Sequence, residues 1–284
     1  MSRSYTIVLD CPDRIGIASS VGALLTQYGG WVSEAAHHSD EDSNWFFSRI
    51  EVVADSLTIS LEELHAAFAP LVKEFSLNLK IVDSAVPKKV ALMASKGSHC
   101  LADLLDRYKN GDLNCEITCV ISNHDDMRSM TQWYGIDYHH VPVDHDNQSA
   151  SFAKVESLIE EYQAECVVLA RYMQILPQSL CEKLRYQVIN IHHSFLPSFI
   201  GAKPYHQASR RGVKLIGATC HYVTEALDEG PIIDQDVMRV RHSDKVEDLV
   251  RLGKDVEKTV LARGLRAHLQ DRVLVHGNKT VVFD

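Results

Sequence analysis

The sequence feature that most constrains the fold is an alternation of short apolar runs with amphipathic runs in the middle of the chain. The apolar runs predict strands at residues 90–94, 116–122, 137–143 and 166–170, and the periodic runs predict helices at 100–108, 127–134 and 151–162. Repeated strand-then-helix units favour a parallel sheet with right-handed crossovers. We therefore predict an α/β fold with a doubly wound, mostly parallel, Rossmann-like sheet, and one long outer helix at 245–269.

The beginning of the chain has a different order of predicted elements. Strands are predicted at residues 5–9, 32–37, 46–54 and 78–82, and helices at 15–28 and 60–75. This βαββαβ order is typical of a ferredoxin-like α+β domain, in which a four-stranded antiparallel sheet is backed by two helices. We therefore expect one domain at 1–83, a linker at 84–89 and a second domain at 90–284.

Composition narrows the class of protein. The chain has 284 residues, 45% of them hydrophobic and 24% charged, without the run of about 18 apolar residues that spans a bilayer. Its formal net charge of −9 argues against a broad nucleic-acid surface. Its 7 cysteines are an odd number without metal-ligand spacing, which argues against a disulfide framework. Because no signal-peptide pattern opens the sequence, we expect a cytoplasmic protein without a membrane or nucleic-acid partner.

A group of polar residues at the end of a predicted strand indicates chemistry. Asn190 and His192 end a β-type run, and alternate side chains of a strand share a face. Asp228 lies on a later loop, just before a Gly-Pro pair. A carboxylate can orient a histidine and hold its proton, so an amide, an imidazole and a carboxylate together suit acyl chemistry. The spacing alone also allows a plain strand end with a satisfied histidine.

The second domain resembles the formyltransferase family that handles 10-formyltetrahydrofolate, at Asn190-Ile191-His192, Leu196-Pro197 and Asp228-Glu229-Gly230-Pro231. The resemblance covers about residues 89–275. It implies that Asn190, His192 and Asp228 are catalytic, and that 10-formyltetrahydrofolate is the substrate, with no tightly bound cofactor. It also implies a substrate pocket that is lined by Arg171, Tyr172, Met173, Gln174, Ile175, Leu176, Leu227 and Gly230.

The resemblance implies a mechanism for these side chains. The N–H groups of Asn190 and His192 would stabilise the formyl oxygen as it becomes an oxyanion. Asp228 would pair with His192 and would position and deprotonate the attacking water, directly or through the histidine. We expect no metal, because these groups supply both electrostatic stabilisation and proton transfer. His193 points to the opposite face of the strand, so we leave it out of the catalytic set.

The first domain resembles an ACT domain, a small effector-binding and oligomerising module, around Asp10-Cys11-Pro12-Asp13-Arg14-Ile15-Gly16-Ile17. The resemblance implies a homo-oligomer and a small amino-acid effector that is bound by Asp10, Asp13, Arg14, Ile15 and Gly16. Asp13 is also expected to cap the first helix, since aspartate is a favoured N-cap residue.

The order of the two domains is more specific than either domain alone. An ACT domain followed by a folate formyl-handling domain is the layout of enzymes that hydrolyse 10-formyltetrahydrofolate, which balances the one-carbon pool and supplies formate for purine synthesis. Related enzymes that formylate glycinamide ribonucleotide carry a Gly-Ser-Gly-Ser-Asn-type loop, whose backbone amides hold the acceptor's phosphate. Here the loop is Ser95-Lys96-Gly97-Ser98-His99, which favours water as the acceptor. A formyltransferase to an amine and a non-catalytic folate-binding protein stay as alternatives.

Overall fold

The chain divides into two compact units. The computed structural model describes residues 3–144, 146–198 and 204–284. The first unit contains the segment up to Pro87 together with Asp271–His276 and Val281–Asp284, and the second contains Lys88–Gln270 and Gly277–Thr280. No helix in the described part of the chain is long and apolar enough to cross a membrane.

The first unit has the predicted βαββαβ order. Its elements are β1 (Ser4–Pro12), α1 (Ile17–Gln27), β2 (Trp31–Asp40), β3 (Trp45–Val53), α2 (Leu61–Phe75) and β4 (Asn78–Asp83). The strands form an antiparallel sheet in the order β2-β3-β1-β4. The two helices bury their apolar stripes, including Leu25 and Phe68, against Ile7 and Leu9 of the central strand β1. The predicted α+β architecture is confirmed.

The start of α1 differs from the prediction. The helix begins at Ile17, and its N-cap is Gly16, which has a φ of 102° and provides no side-chain hydrogen bond. The backbone N–H of Asp13 donates instead to the carbonyl of Asn44, at 2.9 Å. The prediction that Asp13 caps the helix is therefore wrong, because the chain turns through a left-handed glycine before the first helical residue.

The second unit is a seven-stranded sheet with helices on its faces. Its strands are β5 (Lys88–Ala94), β6 (Cys115–Ser122), β7 (Asp137–His140), β8 (Cys166–Ala170), β9 (Val188–His192), β10 (Leu215–Tyr222) and β11 (Ile232–Arg239). Its helices are α3 (His99–Lys109), α4 (Arg128–Trp133), α5 (Gln148–Glu161), α6 (Gln178–Lys183), α7 (Pro204–Arg211) and α8 (Val246–Leu269). The helix predicted at 245–269 is thus α8.

The order of the strands creates a topological switch point. The sheet runs β11-β10-β9-β8-β5-β6-β7, with the strands from β9 to β7 parallel and β10 and β11 antiparallel at one edge. The chain leaves β5 toward β6 and β7, and later continues on the other side of β5 with β8. The switch point therefore lies between the carboxyl ends of β5 and β8, where open α/β sheets bind ligands. The predicted doubly wound, mostly parallel sheet is confirmed.

The end of the chain forms a hairpin of β12 (Val273–His276) and β13 (Lys279–Val282). Leu274 and Phe283 are buried in one cluster with Phe47 of β3. The C-terminal segments 271–276 and 281–284 therefore belong to the first unit, whereas the sequence analysis placed all residues after 89 in the second domain. In addition, β5 begins inside the predicted linker. Local periodicity does not show which sheet a C-terminal hairpin packs against, and this explains why the predicted domain boundaries differ from those of the structure.

Candidate active site

Strand β9 carries two side chains of the site. Asn190 and His192 both line one pocket, and Ile191 between them is 2% exposed. The alternation of a strand places the two polar side chains on the same side, as the sequence analysis expected. The His192 residue is 5% exposed, so its imidazole acts in an environment with little water.

Asp228 reaches the histidine from the loop between β10 and β11. Its Oδ2 lies 3.1 Å from Nδ1 of His192. Because β10 is antiparallel to β9, with Tyr222 opposite Ile189, Asp228 does not follow a parallel strand of the sheet. The loop folds back toward β9 with Asp228 at a φ of 58°, a left-handed backbone that carboxylate and amide residues tolerate best among non-glycine residues.

The charge of the site is set by this pair. Burial raises the pKa of Asp228, but the hydrogen bond from His192 is the largest opposing cause, and the pKa of Asp228 is held well below its usual range. The carboxylate therefore stays ionised at neutral pH and accepts from Nδ1 of His192. The other ring nitrogen, Nε2, is buried and has no hydrogen-bond partner among the described residues. Nε2 of His192 is therefore the ring nitrogen that is available to exchange a proton with the substrate.

His221 is a part of the site that the sequence analysis missed. Its Nδ1 lies 2.9 Å from the carbonyl oxygen of Tyr222, which only accepts, so Nδ1 carries a proton. Its Nε2 lies 3.2 Å from Nδ2 of Asn190 and 3.7 Å from Oδ1 of Asp228. With the proton on Nδ1, Nε2 accepts a hydrogen bond from the amide of Asn190 and fixes the orientation of that amide. The strand register pairs His221 with Asn190, and cross-strand pairing is not readable from one strand's own sequence.

The pocket has a volume of about 460 Å³ and lies between the loop after β8 and the β10–β11 loop. Seven of the predicted pocket residues line it: Arg171, Tyr172, Met173, Gln174, Ile175, Leu176 and Leu227. Besides His221, seven further lining residues were not predicted, and His193 is one of them although it was expected on the opposite face of the strand: Leu169, Cys181, Ile191, His193, Val223, Thr224 and Glu225.

Gly230 was predicted to bind substrate, but the structure does not place it in the lining of the pocket. It is packed against β10 instead. A Cβ atom at this position would come within 1.8 Å of the carbonyl oxygen of Tyr222. The glycine therefore permits the close turn that brings Asp228 to His192, which is a backbone role.

The segment after β8 has an unusual backbone. Arg171 and Met173 have φ values of 65° and 60°. Together with Asp228, they place three non-glycine residues in the left-handed region around one pocket. Such conformations cost about 1–3 kcal/mol each and persist where the surrounding structure holds them, which is common at binding sites. The pocket is therefore built by backbone shape as well as by side chains.

A second buried network lies beside the pocket, around Glu257 of α8. Its Oε2 accepts from Nε2 of His99 at 2.8 Å and lies 3.4 Å from Nε of Arg171, and its Oε1 accepts from the hydroxyl of Tyr205 at 2.5 Å. Burial raises the pKa of Glu257, but its bonds to His99 and Tyr205 and the charge of Arg171 outweigh burial and lower that pKa. Glu257 therefore stays ionised although it is 1% exposed. The sequence shows no signal for this network, because its members lie far apart in the chain.

Among the described residues, one group of histidine, cysteine and acidic side chains is close enough to share a metal: His99, Cys100 and Glu257. The candidate ligand atoms lie within 4.8 Å of one another. However, the carboxylate of Glu257 already contacts Arg171 and accepts a hydrogen bond from Tyr205. Burial also raises the pKa of the Cys100 thiol, so forming a thiolate ligand there would cost free energy. The arrangement suits an internal hydrogen-bonded network better than a cation site.

The predicted effector residues lie at the end of β1 and in the loop before α1. The carboxylate of Asp10 accepts from Nε1 of Trp45 at 2.9 Å and from Nδ2 of Asn78 at 2.8 Å. The guanidinium of Arg14 lies 4.5 Å from the ring centre of Phe75. Ile15 is fully exposed. Asp10 is therefore engaged in the sheet, whereas the loop presents apolar and cationic groups at its surface.

The fold and this site define a class of protein. The sequence profile described as "Formyl transferase" matches residues 88–265, which contain the pocket and all the side chains around it. A crystal structure of a glycinamide ribonucleotide transformylase from Symbiobacterium toebii superposes with a TM-score of 0.66 at 28% identity, and covers 70% of this chain and 95% of that chain. The second unit is therefore a formyl transferase domain.

Similarity over the full length gives the particular family. A crystal structure of a formyltetrahydrofolate deformylase from Pseudomonas syringae pv. tomato is 61% identical, with a TM-score of 0.99 over 100% of this chain and 95% of that chain. A formyltetrahydrofolate deformylase from Synechocystis sp. is 45% identical over 98% of both chains. This chain belongs to the formyltetrahydrofolate deformylase family.

Proposed function

We propose that this chain hydrolyses 10-formyltetrahydrofolate to formate and tetrahydrofolate, with water as the formyl acceptor. The observation that carries the proposal is the pair of His192 and Asp228 at 3.1 Å, which leaves the buried Nε2 of His192 without a protein partner among the described residues. The family of the full-length relatives supports the same reaction.

The folate occupies the pocket between the two loops. A volume of about 460 Å³ is within the range of roughly 300–1,000 Å³ that is usual for small-molecule sites. Met173, Ile175 and Leu227 expose 61%, 64% and 54% of their surface, and all three line this pocket. Neighbouring exposed apolar side chains favour an apolar ligand surface, which a pterin ring and its linked aromatic ring provide. The formyl group then lies toward Asn190 and His192.

The low pKa of Asp228 decides the route of the proton. A carboxylate with such a pKa is a weak base, so it acts by stabilising the imidazolium form of His192 rather than by deprotonating water itself. Nε2 of His192 takes a proton as the water oxygen bonds to the formyl carbon. The amide N–H of Asn190 stabilises the resulting oxyanion. When the bond from carbon to N10 breaks, Nε2 returns its proton to N10, and formate loses the second water proton to solvent.

An incubation without any amine tests this proposal. The purified chain and 10-formyltetrahydrofolate should give equal amounts of formate and tetrahydrofolate. We expect Asp228→Asn to lower kcat by about 10³–10⁴-fold, because an amide does not stabilise the imidazolium. The matched control is Glu229→Gln, the exposed acid next in sequence, which should keep wild-type turnover. If activity appears only when an amine is present, the reaction is formyl transfer and not hydrolysis. If the chain is inactive under all conditions, the result favours a folate-binding protein.

We further propose that the first unit binds a small amino-acid effector and joins copies of the chain. The support is the fully exposed Ile15 beside Arg14 in the loop before α1, where a ligand or a second copy would cover apolar surface. Sedimentation velocity, with and without each amino acid, tests both parts of this proposal. A single sedimenting species of monomer mass under all conditions would contradict it. The cytoplasmic location stays a prediction from the sequence.

A further inference from the structure

We propose that Glu257 and its partners form an acceptor barrier, defined as the side chains of His99, Arg171, Tyr205 and Glu257, which excludes amine acceptors from the formyl group and admits water. This inference rests on the proposed hydrolysis and names the residues that determine its specificity. It concerns groups that do not take part in the proton route.

The barrier occupies the switch point of the sheet. His99 begins α3 directly after the loop that follows β5, and Arg171 follows the last residue of β8. These are the two carboxyl ends between which an open α/β sheet binds a ligand. Glu257 is brought to them by α8, and Tyr205 by α7. Side chains of the chain itself thus lie at the position where an open α/β sheet would bind a second ligand.

The barrier is close to the reacting groups. Arg171 both lines the folate pocket and contacts Glu257, with 3.4 Å between Nε and Oε2. On the other side, the ring centre of His193 lies 5.1 Å from that of His192 and 6.1 Å from that of Tyr205. An acceptor that approached the formyl carbon from the switch point would meet these side chains first.

The barrier offers few polar atoms to an incoming amine. Both carboxylate oxygens of Glu257 are hydrogen-bonded, one by Tyr205 and the other by His99. The residue Glu257 is 1% exposed, and the side chains of His99 and Arg171 are 15% and 18% exposed. A cationic amine gains most from an unpaired carboxylate, and the carboxylate of Glu257 is already paired with His99, Arg171 and Tyr205 and is buried. Water is small and neutral, so its binding depends little on an unpaired carboxylate at such a surface.

Close packing keeps the barrier in position. A Cβ atom added to Gly253, one helical turn before Glu257, would come within 2.0 Å of the hydroxyl oxygen of Tyr205. The tyrosine therefore lies directly against α8, with little room to move aside. Shape and hydrogen bonding both hold the barrier closed, so a variant that removes volume should open it.

The partition of the formyl group between water and an amine is the readout. In hydrolysis, a carbon–oxygen bond forms, the bond from carbon to N10 breaks, and N10 gains a proton that comes from water. With glycinamide as the acceptor, a carbon–nitrogen bond forms instead, N10 gains the amine proton, and the product is N-formylglycinamide. The ratio of N-formylglycinamide to formate is independent of the total rate.

We would measure this ratio with the full chain, 10-formyltetrahydrofolate and glycinamide. His99→Ala and Glu257→Ala should each raise the ratio by at least about tenfold, since small groups at a pocket wall discriminate by that order. Glu257→Gln keeps the volume and should keep the wild-type ratio. Glu247→Ala, at an exposed position of the same helix, is the control for substitution in α8. Should Glu257→Ala fail to fold, the partly exposed His99→Ala decides alone.

The outcomes separate this inference from the proposed function. Formate from the wild-type chain with a raised ratio in both alanine variants supports the barrier. Formate production in all folded variants with an unchanged ratio overturns the barrier and leaves hydrolysis intact. A wild-type ratio as high as that of the alanine variants also overturns it. If the wild-type chain makes no formate, both the proposed function and the barrier are wrong.

Discussion

At the scale of single residues, the site depends on which ring nitrogens carry protons. Asp228 fixes Nδ1 of His192 as a donor, and the carbonyl of Tyr222 fixes Nδ1 of His221 as a donor. The two Nε2 atoms are then available for different purposes. One faces the pocket without a partner among the described residues, and the other accepts from Asn190. Each histidine therefore has one role, which its backbone or carboxylate partner sets.

His221 is expected to act as a positioning residue. His221→Phe removes the acceptor of the Asn190 amide, so the amide no longer points one N–H at the oxyanion. We expect kcat to fall by about 10²-fold, the cost of misplacing a group by an ångström or so, with KM nearly unchanged. His221→Gln retains an acceptor and should recover part of kcat. Steady-state kinetics of both variants measure the effect, and equal kcat in wild type and His221→Phe would contradict it.

His193 should make stability depend on pH. Burial, followed by the positive charge of Arg171, lowers the pKa of His193 from its ordinary 6.5 to about 4. As pH falls below 6.5 the unfolded state binds a proton and the folded state does not, so stability is lost until pH reaches about 4. As the pH falls from about 7 to about 5, the titration of His193 should lower the free energy of unfolding by roughly 2 kcal/mol.

Urea denaturation of wild type and His193→Asn tests this dependence. The variant should lose less stability than wild type over the same pH interval, because it has no group to titrate there. His242→Asn, at an exposed position, is the matched control and should behave as wild type. Identical pH dependence in His193→Asn and wild type would show that His193 is not neutral in the folded state.

The residues that sequence analysis predicted share one property. Asn190 and His192 lie in one strand, and Asp228 lies in one recognisable turn, so local alternation and turn chemistry indicate them. His221 and Glu257 are different, because each enters the site through pairing or packing between distant segments. One sequence does not contain that information in a local form. The barrier around Glu257 therefore became visible only in the structure.

At the scale of elements, the β10–β11 loop determines where the carboxylate lies. The loop begins level with Ile189 because β10 is antiparallel to β9, and it must turn sharply to bring Asp228 to His192. Gly230 permits that turn through its contact with the carbonyl of Tyr222. The position of Asp228 in the β10–β11 loop therefore depends on one small residue, Gly230.

Gly230→Ala should displace this loop. The new Cβ would meet the Tyr222 carbonyl at 1.8 Å, so the backbone has to shift and the pair of Asp228 and His192 is disturbed. We expect kcat to fall by about 10²-fold and the unfolding free energy to fall by about 1–3 kcal/mol. Gly22→Ala is the control, because nothing lies within 4 Å of a Cβ in that part of α1. Kinetics and urea denaturation together measure both effects, and a Gly230→Ala variant with wild-type kcat would contradict them.

At the scale of the whole molecule, each unit has its own apolar core, and the last segments of the chain contribute to the first one. The two fold classes follow from the sequence because long periodic segments define them. The position of the final hairpin does not follow from the sequence, since Leu274 and Phe283 pack against Phe47 of β3, more than two hundred residues earlier. Boundaries are thus harder to predict than architectures.

Leu274→Ala tests the assignment of residues 271–276 and 281–284 to the first unit. Leu274 is 4% exposed and packs with Phe47 and Phe283, so its truncation should destabilise that unit by about 2–5 kcal/mol. Hydrogen exchange should become faster in β3 and remain as in wild type in α8. Val282→Ala, where the native side chain is 38% exposed, is the matched control. Faster exchange in α8 without a change in β3 would contradict the assignment.

The origin of the oxygen in the product tests the central claim most directly. The full chain would be incubated with 10-formyltetrahydrofolate in water enriched in oxygen-18, with an enzyme-free sample as the control, and the formate analysed by mass spectrometry. If water is the acceptor, each formate released by the chain carries an oxygen from the solvent, and tetrahydrofolate appears in equal amount. Formate without the label, or no formate until an amine is added, would contradict hydrolysis by this site.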